Sequence, residues 1–231
     1  MTAMPMKSLT EQTYFRIRDD ILSCRHRPGT RLNIKMLCDE MGASLGAVRE
    51  AMSRLAAEGF LESSAQKGFR VSPVSVEDLE DLTKTRIAIE DLCLREAIKL
   101  GELEWETDIV GAFHRLSRLP DAFAISGATD VQAWSSANET FHSALVSACR
   151  SNWLLRIRAM LFDQADRYRR LMAISTKVDR DVVNEHRAIM EAVLERNADL
   201  ACALMAQHLQ RTADIVSRVS LDNIDDKLSE A

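Results

Sequence analysis

The sequence predicts a mostly α protein in two parts: an N-terminal winged helix-turn-helix, then an all-α bundle of about six helices. Three observations predict it. Ala, Leu, Arg and Glu fill most windows of the 231 residues, while Gly numbers eight and Pro four, which favours helix over sheet. The first seventy residues read helix, helix, tight turn, helix, hairpin, and the tight turn forces the second and third helices to cross steeply. Beyond residue 76 the apolar pattern keeps a helical period, interrupted only by short turn signals.

In the first domain, 1–72, Thr10 caps a helix running to about Ser23, with Tyr14, Ile17, Ile21 and Leu22 on one face. Arg27–Thr30 (R-P-G-T) is turn chemistry. Asn33 caps a short helix carrying Met36, Leu37 and Met41, which exits at Gly42. Ser44 caps a third helix that stops at Gly59 and buries Val48, Met52 and Leu55. Residues 60–72 then read as two short strands about a turn at Gln66-Lys67-Gly68. A linker follows at 73–76, where Ser75 begins a capping pattern with Asp78. The second domain, 77–231, carries helices at about 76–100, 103–118, 130–149, 153–174, 179–196 and 199–219. They break at Gly101, Leu119–Thr129, Ser151-Asn152, Ser175–Val178 and Asn197, and the last dozen residues read as frayed.

Composition excludes several classes. No apolar run approaches the length that crosses a bilayer, and M-T-A-M-P-M-K-S lacks the apolar core of a signal peptide. The five cysteines, Cys24, Cys38, Cys93, Cys149 and Cys202, are scattered and form no C-x-x-C pair. That pattern fits a reducing cytoplasm and opposes both a disulfide framework and a thiolate zinc site. No H-E-x-x-H, G-x-S-x-G, P-loop or dinucleotide glycine motif occurs, so the chain does not read as an enzyme. The net charge of −5 is uneven: residues 1–72 hold 11 Lys/Arg against 8 Asp/Glu, and the remainder 19 against 27. A mildly basic head on an acidic body points weakly to a polyanion partner for the head.

Three histidines carry the next signal. Asn138 and His142 are four apart on one helix and share a face. His186 precedes the break at Asn197 by 11 residues and His208 follows it by 11. In an antiparallel hairpin both rings then lie roughly 16 Å from the turn, at a common height. Three imidazoles and an amide oxygen suit Zn, Ni or another borderline divalent ion of the Mn type, in the kind of place where bundles host metals. Packed core histidines satisfy the same geometry. His26 reads as a solvated turn residue, and His114 has no evident partner.

Particular motifs resemble a family. Pro28–Leu32 (P-G-T-R-L), Met41–Ser44 (M-G-A-S), Val48–Leu61 (V-R-E-A-M-S-R-L-A-A-E-G-F-L) and Lys67–Val71 (K-G-F-R-V) look like the GntR family of bacterial transcription regulators. The resemblance implies a recognition helix at about Ser44–Glu58 and a wing near Gln66–Phe69, docked on a double-stranded DNA operator by a cytoplasmic homodimer. The DNA-binding residues it implies are Lys35, Ser44, Leu45, Ala47, Arg49, Arg54, Lys67 and Gly68. Leu45 stands where such regulators often have a basic residue; it can touch a thymine methyl but cannot form the bidentate contact that Arg makes to guanine.

The helical part is similar to the FCD-type ligand-sensing domain of the FadR branch. The resembling pieces are Thr85–Glu90 (T-R-I-A-I-E), Asn138–Leu145 (N-E-T-F-H-S-A-L), Glu185–Val193 (E-H-R-A-I-M-E-A-V) and Ala203–Leu209 (A-L-M-A-Q-H-L). That resemblance implies a divalent metal on Asn138, His142, His186 and His208, with Asn replacing the frequent Asp. It also implies a small carboxylate or dicarboxylate effector anchored by Arg86, with Tyr168 as a further donor. The alternative for Arg86 is an i,i+4 pair with Glu90. The remaining charges of Asp163–Arg170 read as a solvated face. Repression relieved by an organic acid is the expected activity, with a metal-responsive regulator as the alternative.

Overall fold

Side-chain caps start each helix of the N-terminal unit. In the computed structural model, which describes residues 8–64, 68–120, 128–173 and 180–218, α1 (Leu9–Leu22) begins after Ser8, whose hydroxyl accepts from the Glu11 N–H at 3.1 Å. The cap therefore lies two residues before the expected Thr10, which is already helical. Asn33 caps α2 (Ile34–Met41) by accepting from Lys35 and Met36 at 3.0 and 3.2 Å. Gly42, at φ 59°, supplies the left-handed exit that a side chain would strain. Ser44 caps α3 (Leu45–Ala57) through the Ala47 N–H.

These three helices enclose a core of Ile17, Ile21, Leu22, Leu37, Val48, Met52 and Leu55, closed below by Phe60 and Val71. β1 (Leu61–Ser64) and β2 (Gly68–Val71) pair antiparallel, from Leu61↔Val71 to Ser64↔Gly68. The expected turn residues Gln66 and Lys67 lie outside the described residues. One feature exceeds expectation. The stretch after the R-P-G-T turn runs along β2: Val71 N–H donates to Thr30 O at 2.9 Å, Leu32 N–H to Phe69 O at 3.0 Å, and Arg31 bridges Arg70. Gly29, at φ 76°, turns the chain into this alignment.

The chain divides into two compact units between Val74 and Ser75. The second comprises α4 (Val76–Leu100), α5 (Leu103–Leu116), α6 (Ala128–Val146), α7 (Asn152–Ala173), α8 (Val182–Leu194) and α9 (Ala198–Arg218). Ser75 caps α4 through the Asp78 N–H at 3.1 Å. Gly101 ends α4 because the Trp105 ring lies where its side chain would be: a Cβ there would sit 2.0 Å from the ring. The Trp105 indole in turn donates to Ala144 O at 2.9 Å, fixing α5 to α6. α6 stops at Val146, three residues short of expectation, where Ser147 and Cys149 N–H groups close tighter turns.

α4 packs between α7 and α9, α5 packs on α6, and α8 on α9. The enclosed core includes Cys93, Leu94, Ile109, Phe113, Phe141, Leu145, Ile189, Val193 and Met205. All five cysteines are free. Among the described residues no helix is long and apolar enough to cross a membrane. The expected break at Leu119–Thr129 is described only at its ends, where α6 already begins at Ala128; the break at Ser175–Val178 and the C-terminal tail beyond 218 lie outside the described residues.

Candidate metal centre and DNA-reading face

The α8–α9 turn places two imidazoles side by side. Arg196 adopts a left-handed conformation at φ 58°, and the Asn197 N–H returns to Ala192 O at 3.0 Å. This reverses the chain with each histidine 11 residues from Asn197, so the expected common height is observed: the His186 and His208 rings lie 4.6 Å apart. α6 brings His142 within 5.1 Å of His186 and 5.4 Å of His208, measured between ring centres. One nitrogen from each ring falls within 4.8 Å of the others.

The site is buried and, among the described residues, incompletely bonded. Asn138 is fully buried one turn before His142, and His142, His186 and His208 are buried as well. The Asn138 amide oxygen and nitrogen, His142 Nδ1 and His186 Nε2 are all buried without a hydrogen-bond partner. Orphaned polar atoms of this kind are costly, at about 1–3 kcal/mol each, and lone pairs on neighbouring imidazoles are what a cation would satisfy. Burial, with the neighbouring imidazoles adding to it, holds His142 and His186 well below the usual imidazole range. Burial also pushes His208 down to about 4, against the opposing pull of Glu185. All three rings are therefore neutral at pH 7, the state that a metal ligand requires. The residues fit a borderline divalent ion.

Glu185 is next to His186 in sequence but serves the other histidine of the hairpin. Its Oε2 lies 2.8 Å from His208 Nδ1, on the adjacent helix. Arg180 clamps the same carboxylate through both Nε and a terminal nitrogen, at 3.0 and 2.5 Å. His208 and Arg180 together hold this carboxyl well below its ordinary range, overcoming the opposite effect of burial.

A second polar cluster surrounds Arg86. Glu90 lies one turn on at 3.8 Å, so the i,i+4 pair exists, but both groups are buried. Arg158 from α7 meets the other Glu90 oxygen at 2.8 Å and donates to His142 O at 2.7 Å, so this cluster touches the backbone of the histidine site. Arg86, Arg158 and Arg169 stand 4.9, 5.7 and 5.0 Å from the Phe162 ring centre. Burial pushes the Arg86 guanidinium down to about 10, and its Nε has no partner. A cavity of about 20 Å³ adjoins it, lined by Thr83, Tyr168, Arg169 and Leu209.

The solvated face expected across Asp163–Arg170 is overturned in its middle. Asp166, Arg167 and Tyr168 are buried, and Asp166 accepts from Arg169 at 2.6 Å and Arg170 at 2.8 Å on its own helix. The Tyr168 ring lines the cavity, while its hydroxyl donates to Asp78 Oδ2 at 2.5 Å. His26 is half-buried rather than solvated, with its Nε2 covered; His114 is exposed.

In the head, Lys35, Ser44, Leu45, Arg49, Arg54 and Gly68 are exposed. The Ser44 hydroxyl is occupied by its capping bond. Arg54 lies over the Tyr14 ring at 4.2 Å. Ala47 is part of the core, so its side chain is withdrawn from the exposed face. Lys67 lies outside the described residues.

A winged helix-turn-helix ahead of a separate helical bundle defines a DNA-binding transcriptional regulator. Residues 9–71 match the bacterial regulatory proteins, gntR family, and residues 81–211 match the FCD domain; the chain belongs to the GntR family, with an FCD domain as its second part. Its family members are regulators, not enzymes. It is 38% identical over 216 residues to the HTH-type transcriptional regulator BphR of Paraburkholderia xenovorans (strain LB400), covering 94% of this chain and 88% of that protein. It is 33% identical over 211 residues to the HTH-type transcriptional repressor GlaR of Escherichia coli (strain K12), covering 90% and 95% respectively. Among solved structures, E. coli McbR/YncC shares the fold with a TM-score of 0.75 at 19% identity, covering 92% of this chain and 99% of that one.

The buried Glu90 carboxylate is shared by two arginines, so its removal strands both. Glu90→Ala is expected to destabilise the protein by about 3–5 kcal/mol, read from urea unfolding. A loss below about 1 kcal/mol would show that the two guanidiniums find other partners.

Proposed function

We propose that this regulator is a repressor of the FadR branch that binds its operator as a cytoplasmic homodimer. Its response comes from a small carboxylate or dicarboxylate held beside a divalent metal in the FCD domain. The observation that carries the metal reading is the meeting of three buried, neutral imidazoles from α6, α8 and α9 with donor nitrogens within 4.8 Å. Asn138 adds an amide oxygen from the same face of α6 as His142, and with no carboxylate among the four the set suits Zn, Ni or a Mn-like ion. The ion would supply positive charge in a dry site, where a carboxylate is otherwise hard to bury.

Arg86 is the proposed anchor for that carboxylate, since its Nε is buried and unpartnered; Tyr168 contributes the wall of the adjoining cavity. Repression is supported by likeness to a named repressor at 33% identity. The cavity itself favours a second reading. At about 20 Å³ it has room for about one water, less than any acid, and this supports the metal alone as the signal.

For DNA, Arg49 and Leu45 on the exposed start of α3 are the proposed base readers, with Ser44, Lys35 and Arg54 positioning the helix and the wing at Lys67-Gly68 reaching the backbone. Ala47 contributes to α3 packing instead. Pairing of two copies is supported by an exposed apolar stripe on α7, Trp153, Ile157 and Met160, with Trp153 72% exposed. These residues recur at i, i+4 and i+7 on one helical face.

Elemental mass spectrometry of untagged protein should find about one equivalent of metal, lost in His142→Ala. No metal after incubation with Zn, Ni or Mn would return the four residues to the core. Operator affinity measured against metal occupancy without any acid separates the two readings: a response identifies the metal as the signal. Arg49→Ala should weaken operator binding by about 1–3 kcal/mol if Arg49 reads a base, and unchanged affinity would remove it from that role. Trp153→Glu should convert a dimer to a monomer in sedimentation and weaken operator binding; a dimer that survives places the interface elsewhere.

A further inference from the structure

We infer that Glu185 is a positioning residue for the metal centre: it selects the tautomer of His208 that presents a lone pair to the ion. The inference rests on the three histidines forming a metal site and deepens that assignment.

The chemistry follows from which atoms meet. A carboxylate accepts hydrogen bonds and donates none. With Glu185 Oε2 at 2.8 Å from His208 Nδ1, a lone pair on Nδ1 would face a lone pair on oxygen. Nδ1 therefore carries the hydrogen and Nε2 carries the lone pair. An Arg180 nitrogen also approaches Nδ1, but at 3.3 Å it is the more distant group, and it already donates to the Glu185 carboxylate and to His208 O, the latter at 2.9 Å.

Glu185 itself is not free to bind the ion. Its Oε2 takes His208 and Arg180, while its Oε1 takes Arg180 at 3.0 Å and Arg211 at 3.1 Å. Arg180 is further fixed by donating to Thr212 Oγ1 at 2.9 Å. The carboxylate is thus locked in place from the start of α8 and from α9, one hydrogen bond away from the ligand ring. A carboxylate behind a metal-binding imidazole orients the ring and raises its basicity, and its loss typically costs 10–100-fold in metal affinity.

Among the described residues no comparable device is seen for His142 or His186. Each has a buried nitrogen without a partner, so among the three rings His208 is the one whose tautomer a charged neighbour selects.

The deciding experiment has two arms on the full chain. Long-range proton–nitrogen correlation spectra of metal-free wild-type protein, labelled with 15N-histidine, should show His208 protonated at Nδ1 and bare at Nε2. The opposite tautomer overturns the inference without any variant having to fold. Zinc affinity is then measured by chelator competition for wild type, Glu185→Gln and Glu185→Ala. Glu185→Ala should lose roughly 10–100-fold, and Glu185→Gln, which keeps an acceptor oxygen, should lose less. Equal affinity in all three overturns the role of Glu185 and leaves the metal centre standing. Failure of wild type to bind zinc any better than His142→Ala overturns the metal centre, and the role of Glu185 with it.

Discussion

A polar group taken out of water needs a partner, and the helical domain buries a set of polar groups. Asn138, three histidines, Glu90 and Arg158 are all covered, and the packing of five helices depends on how they are satisfied. Glu90 and Arg158 answer each other as an ion pair. Asp166 is answered by two arginines of its own helix. The imidazoles cannot answer one another as cations, because three charges this close in a dry core would repel strongly; they are held neutral instead. Neutral rings with unpartnered nitrogens form a set of Lewis bases, which the proposed divalent cation would satisfy together.

The same constraint explains the division of labour among the helices. α8 and α9 are joined by a tight turn that matches His186 to His208 in height. α6 is held in place by the Trp105 indole on Ala144 O and by burial of Phe141. Each helix that carries a proposed metal ligand is thus positioned by contacts outside the ligand side chains. A preformed site loses less free energy to ordering on binding than one that must be assembled.

Much of this was legible in the sequence, and the reasons differ by element. Helix limits were readable because caps are local: Asn33, Ser44 and Ser75 each accept from the second or third residue ahead, and Gly42 turns left. The cap of α1 was misplaced because Ser8 and Thr10 are both competent and only their reach decides. The pairing of His186 and His208 was readable because equal spacing about a turn is arithmetic in a hairpin. The partners of Glu185, Glu90 and Asp166 were not readable with equal success. Asp166 meets arginines three and four residues away, a spacing visible in the sequence yet indistinguishable from an exposed helix face. Arg158 and Glu90 are 68 residues apart, and no local pattern couples them. Glu185 bonds a ring on the next helix, which only the hairpin register reveals.

α4 connects the two halves of the proposed function. Its first turn follows directly on the last residues of the head, and there Asp78 is held by the Tyr168 hydroxyl of α7. Its middle carries Arg86 and Glu90, and Glu90 is held by Arg158 of the same α7. On the proposed reading, a carboxylate arriving at Arg86 would compete with Glu90 for the guanidinium and leave Glu90 to Arg158 alone, altering how α4 and α7 are joined at one point while Tyr168 joins them at another. A ligand changes DNA affinity only by binding two states of the protein unequally. The α4–α7 contact is where such inequality would arise, because both its polar joints lie on the helix that begins where the DNA-binding head ends.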